Sequence, residues 1–544
     1  MTHPHGSIPS ISLNQIGYRP HDDKIALFAG MGGSFYVEDS KGMKVCRGET
    51  LKARNDAGIS GQTVYYADFS ALMKPGTYRI VHVEAGASEA FVIEEKPYKE
   101  VHKGLLKAFY YFRCGIELQE EFAAPWTHHA CHLAPAIVYG QEDRRIDVCG
   151  GWHDAGDYGK YAGPGAKAVA DLLLAFELYP NAFVDAVPLP ETDGRIPDVL
   201  HECRYELDFL LNMQDEETGG VFHKVTTLQF PSLDCMPEHD LADLYLSPIS
   251  AAATGCFAGV MAMAARVYQP YDAAYAEVCL RAAERAYAWL ERNPDVPGFK
   301  NPPEIATGEY GDKLDHDERY WASAELYRTT GDQRYHQALK AWAAGNTFEL
   351  YELGWADMGG YGTIAYLLTE KDRVDLKLYD KLQCGLVEDA RRLAIISEQD
   401  GYGISLAPEQ YIWGSNMLVM NNAMLMLIAH HFYKDSALEK CALDHVHYLL
   451  GRNALSMSYV TGYGTNPIRN PHHRPSVGDG VADPVPGQVA GGPNRHLQDD
   501  YAKVTLTGQP PAKCFVDHMD SYATNEVTIY WNSPAVFVFS HFAS

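Results

Sequence analysis

Two aspartates three residues apart lie in a segment rich in glycine and aromatic residues. The segment Asp147–Tyr161 reads Asp-Val-Cys-Gly-Gly-Trp-His-Asp-Ala-Gly-Asp-Tyr-Gly-Lys-Tyr and contains Asp154 and Asp157. Small residues let a substrate approach the backbone closely, and two such carboxylates can act on one water, one as general base and one as its orienter. A turn capped by aspartates is the usual alternative at this spacing, but the flanking glycines, Trp152 and Tyr158 favour a catalytic role for the two aspartates.

A second candidate segment combines glycines with basic side chains. Ser458–Pro467 is followed by Pro471-His472-His473-Arg474, and the whole stretch is too polar and too rich in glycine for a core element. Histidine and arginine beside such a turn can donate hydrogen bonds to hydroxyl groups and stabilise charge. The alternative is a structural loop that carries surface basic residues.

Glu526 is expected at the start of an apolar last helix, near 526–543. A carboxyl group at an aromatic helix mouth is partly removed from water, which favours its protonated form and suits a general acid. The alternative is an acidic residue that the helix macrodipole stabilises.

Two further groups of side chains could bind metals. Cys114, Cys131, His132 and His153 offer two thiolates and two imidazoles, although their spacing is not that of a zinc finger and buried, satisfied side chains are the alternative. The oxygen-rich stretch 307–318 suits Ca²⁺, with acidic residues at a helix N-terminus as the alternative.

These residues must be positioned by two kinds of structure. Short strands bounded by turn residues predict a β-sandwich domain over 8–95, and a helical pattern predicts a second domain over 101–544. Long inserts separate the helices and are expected to be functional. The expected helices fit an α/α toroid of six pairs and lie near 101–114, 163–179, 195–213, 249–267, 272–293, 318–331, 333–350, 357–370, 376–396, 414–433, 436–451 and 526–543.

Composition excludes several classes of protein. The 544 residues carry a formal net charge of -26, which disfavours binding to nucleic acid or to an anionic membrane. No uninterrupted apolar run reaches the roughly 18 residues that a membrane span needs. The 11 cysteines favour a reducing compartment or a metal site over a disulfide framework. We expect a cytoplasmic protein if Met1 is native and a secreted one if a leader was removed.

Four segments together resemble a known family. The family is that of the family 9 glycoside hydrolases. The opening strand of its sandwich domain resembles Asn14–Tyr18, and its three active-site signatures resemble, in chain order, Gly150–Asp157, Ser458–Arg474 and Phe515–Ser533. The resemblance implies an N-terminal immunoglobulin-like β-sandwich followed by an all-α (α/α)6-barrel catalytic domain.

The resemblance also implies roles for particular residues. Asp157 would be the general base, Asp154 would hold the attacking water, and Glu526 would be the general acid. Because the family inverts the anomeric centre, Asp157 and Glu526 should lie roughly 6.5–9.5 Å apart. The implied sugar-binding residues are His472, Arg474 and His223, and the candidates for stacking on sugar rings are Tyr411, Trp413 and Tyr522, with burial in the core as the alternative for Tyr411 and Trp413.

The resemblance implies two structural metals and no organic cofactor. Some members of the family bind zinc at an arrangement like that of the four cysteines and histidines, so we expect a closed site that braces the catalytic loop. The family's common calcium site would map to the side chains of Asp317, Glu318 and Asp357 and the carbonyls of Lys313 and Leu314.

The leading functional hypothesis is an inverting endo-β-1,4-glucanase, a cellulase that acts on cellulose-like glucans, lichenan or oligosaccharides. One alternative is an exo-acting β-glucosidase or exo-β-glucosaminidase on cello- or chito-oligosaccharides. Another is a non-catalytic carbohydrate-binding protein, which would not need two aspartates and a glutamate in these motifs. We expect a monomer whose partner is its glucan or oligosaccharide substrate, with no nucleic acid and no membrane.

Overall fold

A computed structural model describes residues 4, 6, 8–345 and 347–544, so Met1 lies outside the described residues. The chain divides into two compact units, one formed by residues 1–108 with 389–544 and the other by residues 109–388. Strands come first and helices later, as the sequence predicts. The strands before the first helix are β1 Ile11–Ser12, β2 Gly17–Tyr18, β3 Ile25–Ala29, β4 Ser34–Asp39, β5 Lys44–Glu49, β6 Leu51–Asp56, β7 Gln62–Asp68, β8 Gly76–His82, β9 Gly86–Ala87 and β10 Phe91–Ile93.

These strands form the predicted sandwich of two sheets. One sheet has the order β1-β3-β7-β6 and the other β2-β10-β8-β4-β5, with β9 added to β8. The pairs are antiparallel except for β2 with β10. Alternate side chains from both sheets meet in one buried core, which includes Tyr18, Phe28, Phe35, Ile80 and Phe91.

The helices lie where the apolar spacing predicts them, with ends shifted by a few residues. The additional helices α2, α13, α14 and α15 are short, between four and seven residues, too short for a periodic pattern to mark them. The helices are α1 Lys99–Tyr111, α2 Glu120–Ala123, α3 Ala162–Leu178, α4 Asp198–Asn212, α5 Ala251–Tyr268, α6 Ala273–Arg292, α7 His316–Thr330, α8 Gln333–Ala344, α9 Gly359–Leu367, α10 Leu376–Gln399, α11 Ser415–Tyr433, α12 Ser436–Leu449, α13 Arg474–Gly478, α14 Asp500–Leu506, α15 Tyr522–Asn525 and α16 Ile529–Ala543.

Helix α5 is a central helix of the 109–388 unit. It is apolar nearly all round and packs against α3, α6 and α7. Its 18 residues are long and apolar enough to cross a membrane by length and composition alone, but 89% of them are buried inside the protein. It is therefore the buried inner helix that its sequence predicts.

The long inserts are more regular than the sequence suggests. Short strands from distant inserts pair into a sheet of order β12-β11-β16-β15-β13, and another pair, β14 with β17, lies at the start of α5. Strands of two or three residues have no period of their own, so only pairing across the chain defines them. The strands are β11 Ala136–Val138, β12 Gln141–Ile146, β13 Lys160–Tyr161, β14 Val221–Phe222, β15 Lys224–Thr226, β16 Tyr245–Leu246 and β17 Ile249–Ser250.

Gln15 joins the sandwich to the glycine-rich segment that follows α12. Its side-chain oxygen accepts hydrogen bonds from the N–H groups of Thr465 and Asn466 at 3.0 and 2.8 Å, and its amide donates to the carbonyl of Ser456 at 2.9 Å. Its backbone N–H donates to Leu450 O at 2.9 Å. The sandwich thus supplies an acceptor for two backbone N–H groups of this segment.

We predict that Gln15→Ala destabilises the protein by about 1–3 kcal/mol, because the backbone N–H groups of Thr465 and Asn466 lose the acceptor that the side chain of Gln15 provides. Thermal denaturation followed by circular dichroism measures the effect. Gln141→Ala, which removes an exposed glutamine from β12, is the control. A shift in Tm no larger than that of the control would contradict the prediction.

Candidate active site

Asp154 and Asp157 lie in the loop between β12 and β13. Gly151 has a left-handed φ of +74°, and a Cβ there would lie 2.5 Å from the ring of Phe209, so only glycine fits. The ammonium group of Lys160, the first residue of β13, donates to the carbonyls of Val148 and Gly150, each at 2.7 Å. The small sheet of the inserts therefore determines the course of this loop.

The two aspartates share a turn that is closed by Gly159. The N–H of Asp154 donates to Gly159 O at 2.9 Å, and the N–H of Gly159 donates to Oδ2 of Asp157 at 3.0 Å. Asp154 is 1% exposed, and its Oδ1 is buried without a hydrogen-bond partner among the described residues. Burial, and then the charge of Asp157, raise the pKa of Asp154 well above its usual range. Oδ1 of Asp154, which has no protein partner among the described residues, can therefore accept a hydrogen bond from a water molecule near the carboxylate of Asp157.

Tyr310 is a member of this site that sequence reasoning missed. Its hydroxyl donates to Oδ2 of Asp154 at 2.6 Å, and its ring contacts those of Tyr161 and Trp355, with centroids 4.7 and 5.0 Å away. No spacing relates positions 154 and 310, so the sequence holds no signal for this contact. Because this hydrogen bond occupies Oδ2, the oxygen of Asp154 without a partner among the described residues is Oδ1.

His223 differs from its predicted role as a sugar ligand. It is 4% exposed, its ring stacks on Phe299 with centroids 3.6 Å apart, and both ring nitrogens have partners inside the protein. Nδ1 lies 2.8 Å from the hydroxyl of Ser250, and Nε2 lies 3.0 Å from Glu309 O. Burial lowers its pKa to about 3, so the neutral ring donates from Nε2. His223 therefore holds the loop that carries Tyr310 instead of facing a sugar.

Glu526 is not at the start of the last helix, which corrects the sequence-based expectation. The last helix, α16, begins at Ile529 and is capped by the hydroxyl of Thr528, whereas Glu526 has extended backbone after α15. It forms a parallel bridge with His472, and its carbonyl accepts from the N–H of Gly491 at 2.8 Å. The macrodipole alternative loses its basis, because that effect is confined to the first turn of a helix.

His472 lies beside Glu526, and the rings of Tyr522 and Trp413 extend from His472. The Nδ1–H of His472 donates to Met519 O at 2.6 Å, so Nε2 is left as an acceptor. The ring of Tyr522 lies 5.8 Å from that of His472 and 5.2 Å from that of Trp413, centroid to centroid. Trp413 is 38% exposed, so its ring is available for stacking. Burial lowers the pKa of His472.

Two other predicted sugar-binding residues are buried. Tyr411 is 1% exposed and presents no ring face to a ligand, so the core alternative is correct for this residue. Arg474 is 6% exposed and is the first residue of α13. The predicted separation of Asp157, in the 109–388 unit, from Glu526, in the other unit, stays a prediction.

The four cysteine and histidine side chains of the predicted zinc site come together. Their ligand atoms all lie within 4.8 Å of one another. Nε2 of His153 lies 3.4 Å from Nδ1 of His132 and 4.0 Å from Sγ of Cys131, and Cys114 completes the group. Zinc–nitrogen bonds of about 2.0–2.1 Å in a tetrahedron place two nitrogens about 3.3–3.4 Å apart, so the donor set fits zinc.

A carboxylate outside the group orients one of these ligands. Nε2 of His132 lies 3.3 Å from Oδ2 of Asp240, so the ring donates there and turns the lone pair of Nδ1 toward the other three ligands. Many metal-binding histidines are oriented by a carboxylate in this way. Sequence reasoning missed Asp240, because no spacing relates it to the ligands.

The predicted calcium residues lie at and around the start of α7. Oδ2 of Asp317 accepts from the N–H of Met358 at 2.6 Å, and Asp357 accepts from two backbone N–H groups. Oε2 of Glu318 is buried without a partner among the described residues. Burial raises the pKa of Asp317 to about 7. Burial, together with the negative charges of Asp317 and Asp312, raises the pKa of Glu318 well above its usual range.

This acidic group is looser than the cysteine and histidine group. The latter is the one set of three or more possible ligands, in the part of the chain that the structure describes, whose atoms converge within 4.8 Å. Lys313 and Leu314 lie in the loop just before α7. Asp312, whose Oδ2 is also buried without a partner among the described residues, was not among the predicted ligands.

Comparison with known proteins gives two family matches and many relatives. The profile of glycosyl hydrolase family 9 matches residues 98–539, and that of the cellulase N-terminal ig-like domain matches residues 7–87. A cellodextrinase of Butyrivibrio fibrisolvens is 38% identical over 550 residues, which cover 97% of this chain and 99% of the relative.

Solved structures agree with these matches. AaCel9A, solved in complex with cellobiose-like isofagomine, is 44% identical with a TM-score of 0.92, and the match covers 98% of this chain and 99% of that one. A Zn-binding triple mutant of the family 9 endoglucanase J30 is 34% identical with a TM-score of 0.90, covering 97% and 99% of the two chains.

The fold, the order of its two parts and the family matches agree. The predicted immunoglobulin-like domain followed by a helical catalytic domain is confirmed. The chain belongs to glycosyl hydrolase family 9 and is a glycoside hydrolase with an N-terminal immunoglobulin-like domain.

Proposed function

We propose that this enzyme is an inverting β-1,4-glucanase that cleaves cellulose-like glucans, lichenan or their oligosaccharides. The observation that carries the proposal is the buried Asp154–Asp157 pair, in which Tyr310 holds one oxygen of Asp154 and leaves the other as an acceptor. The similarity to a cellodextrinase and to an endoglucanase supports β-1,4-glucan as the substrate class.

In the proposed mechanism, Asp157 takes a proton from the attacking water while Asp154 holds that water in place. Glu526 protonates the oxygen of the leaving sugar on the other side of the bond. Inversion needs room for the water between the base and the acid, which is why their carboxyl groups should lie roughly 6.5–9.5 Å apart. A direct attack by a carboxylate would need a separation of only about 5–5.5 Å.

Substrate would be held by the residues around Glu526. The exposed ring of Trp413 and the neighbouring ring of Tyr522 form an apolar surface on which a sugar ring can stack. Nε2 of His472 accepts a hydrogen bond from a hydroxyl, since its other nitrogen already donates within the protein. We assign Arg474 to donating hydrogen bonds to sugar oxygens.

An exo-acting enzyme on short oligosaccharides is the second candidate, and the match to a cellodextrinase over nearly the whole of both chains favours it. A ladder of cello- and chito-oligosaccharides tests both candidates. An endo-glucanase releases mixed internal products from the cello series, whereas an exo-enzyme releases one product from one end. Release of glucosamine units would instead support a glucosaminidase.

We propose that Cys114, Cys131, His132 and His153 hold a structural Zn²⁺. The support is the convergence of the four ligand atoms and the carboxylate of Asp240 behind His132. Four protein ligands leave no open position, so this ion would brace the catalytic loop and take no part in the chemistry.

We also propose a structural Ca²⁺ held by Asp317, Glu318 and Asp357 with the carbonyls of Lys313 and Leu314. Buried carboxylates without a cationic partner are costly, and Glu318 leaves one oxygen without a protein partner among the described residues. A bound divalent cation would offset both costs, and oxygen ligands of this kind suit calcium.

We predict that Asp157→Asn lowers kcat on cello-oligosaccharides by about 10²–10⁴-fold, because the amide can hold water but cannot accept its proton. Oligosaccharide binding and Tm should change little. A reducing-sugar assay gives the rate, and Asp143→Asn, in an exposed position on β12, is the control. A rate within about threefold of the wild type, far from the usual loss of a base, would remove Asp157 from this role.

The loss of hydrolysis rate in Glu526→Gln should depend on the leaving group of the substrate. Hydrolysis of cello-oligosaccharides should nearly stop, whereas aryl cellobiosides should lose much less, because a phenolate needs little protonation as it leaves. Asp157→Asn is the matched comparison, since loss of the base should slow both substrates alike. Equal losses on both substrates for Glu526→Gln would show that Glu526 is not the acid.

Cys131→Ser should lower zinc content and Tm together, because a closed structural site contributes directly to folding free energy. Calcium content should be kept. Cys279→Ser, which alters another buried cysteine, on α6, should lower Tm without any loss of zinc. Elemental analysis that finds no zinc in wild-type protein purified without chelator would contradict the zinc proposal.

A further inference from the structure

Two buried glutamates on α4 face the start of the loop that carries Asp154 and Asp157. Glu202 and Glu206 stand four residues apart and therefore on the same face of the helix. Each is 1% exposed. Both contact Trp152, which stands two residues before Asp154.

Glu202 holds the side chain of Trp152. Its Oε1 accepts the indole N–H at 2.8 Å and the Nε–H of Arg113 at 3.0 Å, and its Oε2 accepts from Nη2 of Arg113 at 2.9 Å. Arg113 has no exposed surface. Arg113 also pairs with Glu191 at 2.8 Å, so its buried guanidinium lies between two carboxylates, and one of them, Glu202, also holds an indole ring.

Glu206 holds the backbone of Trp152. The charge of Lys160 acts on it, but among the described residues no arginine or lysine donates a hydrogen bond to its carboxylate. Its Oε2 accepts the N–H of Trp152 at 2.6 Å. A Cβ at Gly165 of α3 would lie 2.2 Å from its Oε1, so the carboxyl group is enclosed on that side as well. Burial raises the pKa of Glu206 to about 8, which means that a neutral group can occupy this position.

The backbone around Trp152 leads directly to the catalytic turn. Arg113 and Trp152 form an antiparallel bridge, the N–H of His153 donates to Phe112 O at 2.7 Å, and that of Asp154 donates to Gly159 O. With the indole ring and the backbone N–H of Trp152 both held by α4, the chain enters the turn at Asp154 in one fixed direction.

We propose that Glu206 is a positioning residue for Asp154 and Asp157, and that it acts by accepting the backbone N–H of Trp152. The proposal rests on the catalytic roles proposed above for the two aspartates. Glu206 contacts neither substrate nor water in this role. What it supplies is one buried acceptor oxygen at a fixed place, and a displacement of the reacting groups by about 1 Å can cost about 10²-fold in rate.

The test compares Glu206→Met with Glu206→Gln. Methionine keeps the length of the side chain but removes the acceptor, so we expect kcat to fall by about 10-fold or more, toward the 10²-fold typical of a misplaced group, with KM on cellopentaose nearly unchanged. Glutamine keeps an acceptor oxygen and should restore kcat to within about threefold of the wild type. If Glu206→Met does not fold, Glu206→Ala takes its place.

Glu325→Met is the matched control. Glu325 is a buried glutamate on α7 that accepts from Arg266 at 2.9 Å, so its loss should lower Tm while leaving kcat unchanged below that Tm. A wild-type kcat for Glu206→Met, an equal loss for Glu206→Gln, or an equal loss for Glu325→Met would overturn the proposal. Asp157→Asn is assayed alongside: if it stays active, the proposed function has failed, and if it is inactive while Glu206→Met is not, only the positioning role has failed.

Discussion

The short antiparallel pairing of residues 112–114 with residues 151–153 is the contact on which the position of the Asp154–Asp157 turn depends. His153 donates to Phe112 O, Cys114 donates to Gly151 O, and Arg113 bridges Trp152. The pairing buries the guanidinium of Arg113 completely, and a buried charge is tolerated only when it is paired and hydrogen-bonded. Glu202 and Glu191 form ion pairs with Arg113. Because Glu202 lies on α4, the position of α4 is tied to the course of the loop that carries Asp154 and Asp157.

The same pairing links the metal-ligand group to the acidic turn. Cys114 lies on one side of it and His153 on the other, and Asp154 follows His153 directly. A metal bound by these side chains would therefore stiffen the segment that leads to the aspartates. The turn itself holds carboxylates that water does not reach freely, and burial together with the charge of Asp157 raises the pKa of Asp154. Such poorly solvated groups are typical of sites that do chemistry, and here Tyr310, the backbone of Gly159 and α4 hold them in place.

The immunoglobulin-like domain contacts the segment after α12 that continues to His472. Asn14 accepts from the N–H groups of Ile16 and Gly17 and so shapes the turn in which Gln15 reaches the segment after α12. Gln15 then binds the backbone of Thr465 and Asn466, within the segment that continues to His472. The segment Asn14–Tyr18, by which the sandwich resembles its family, is thus also a contact between the sandwich and the segment after α12.

The sequence by itself determined the order of the two domains, the long helices and the identity of the motif residues, because helical spacing and short motifs are local properties of the chain. It also brought together the four cysteines and histidines, although only through resemblance to a family. Tertiary structure alone decided the partners of Asp154 and His132, which are Tyr310 and Asp240, and it decided that His223 and Tyr411 are enclosed while Trp413 is exposed. In the structure, Glu526 lies in an extended segment beside His472 and not in the last helix. The reason is physical: burial, hydrogen-bond partners and strands of two or three residues arise from pairing between distant segments, and no periodicity within one segment records which distant segment will pack against it.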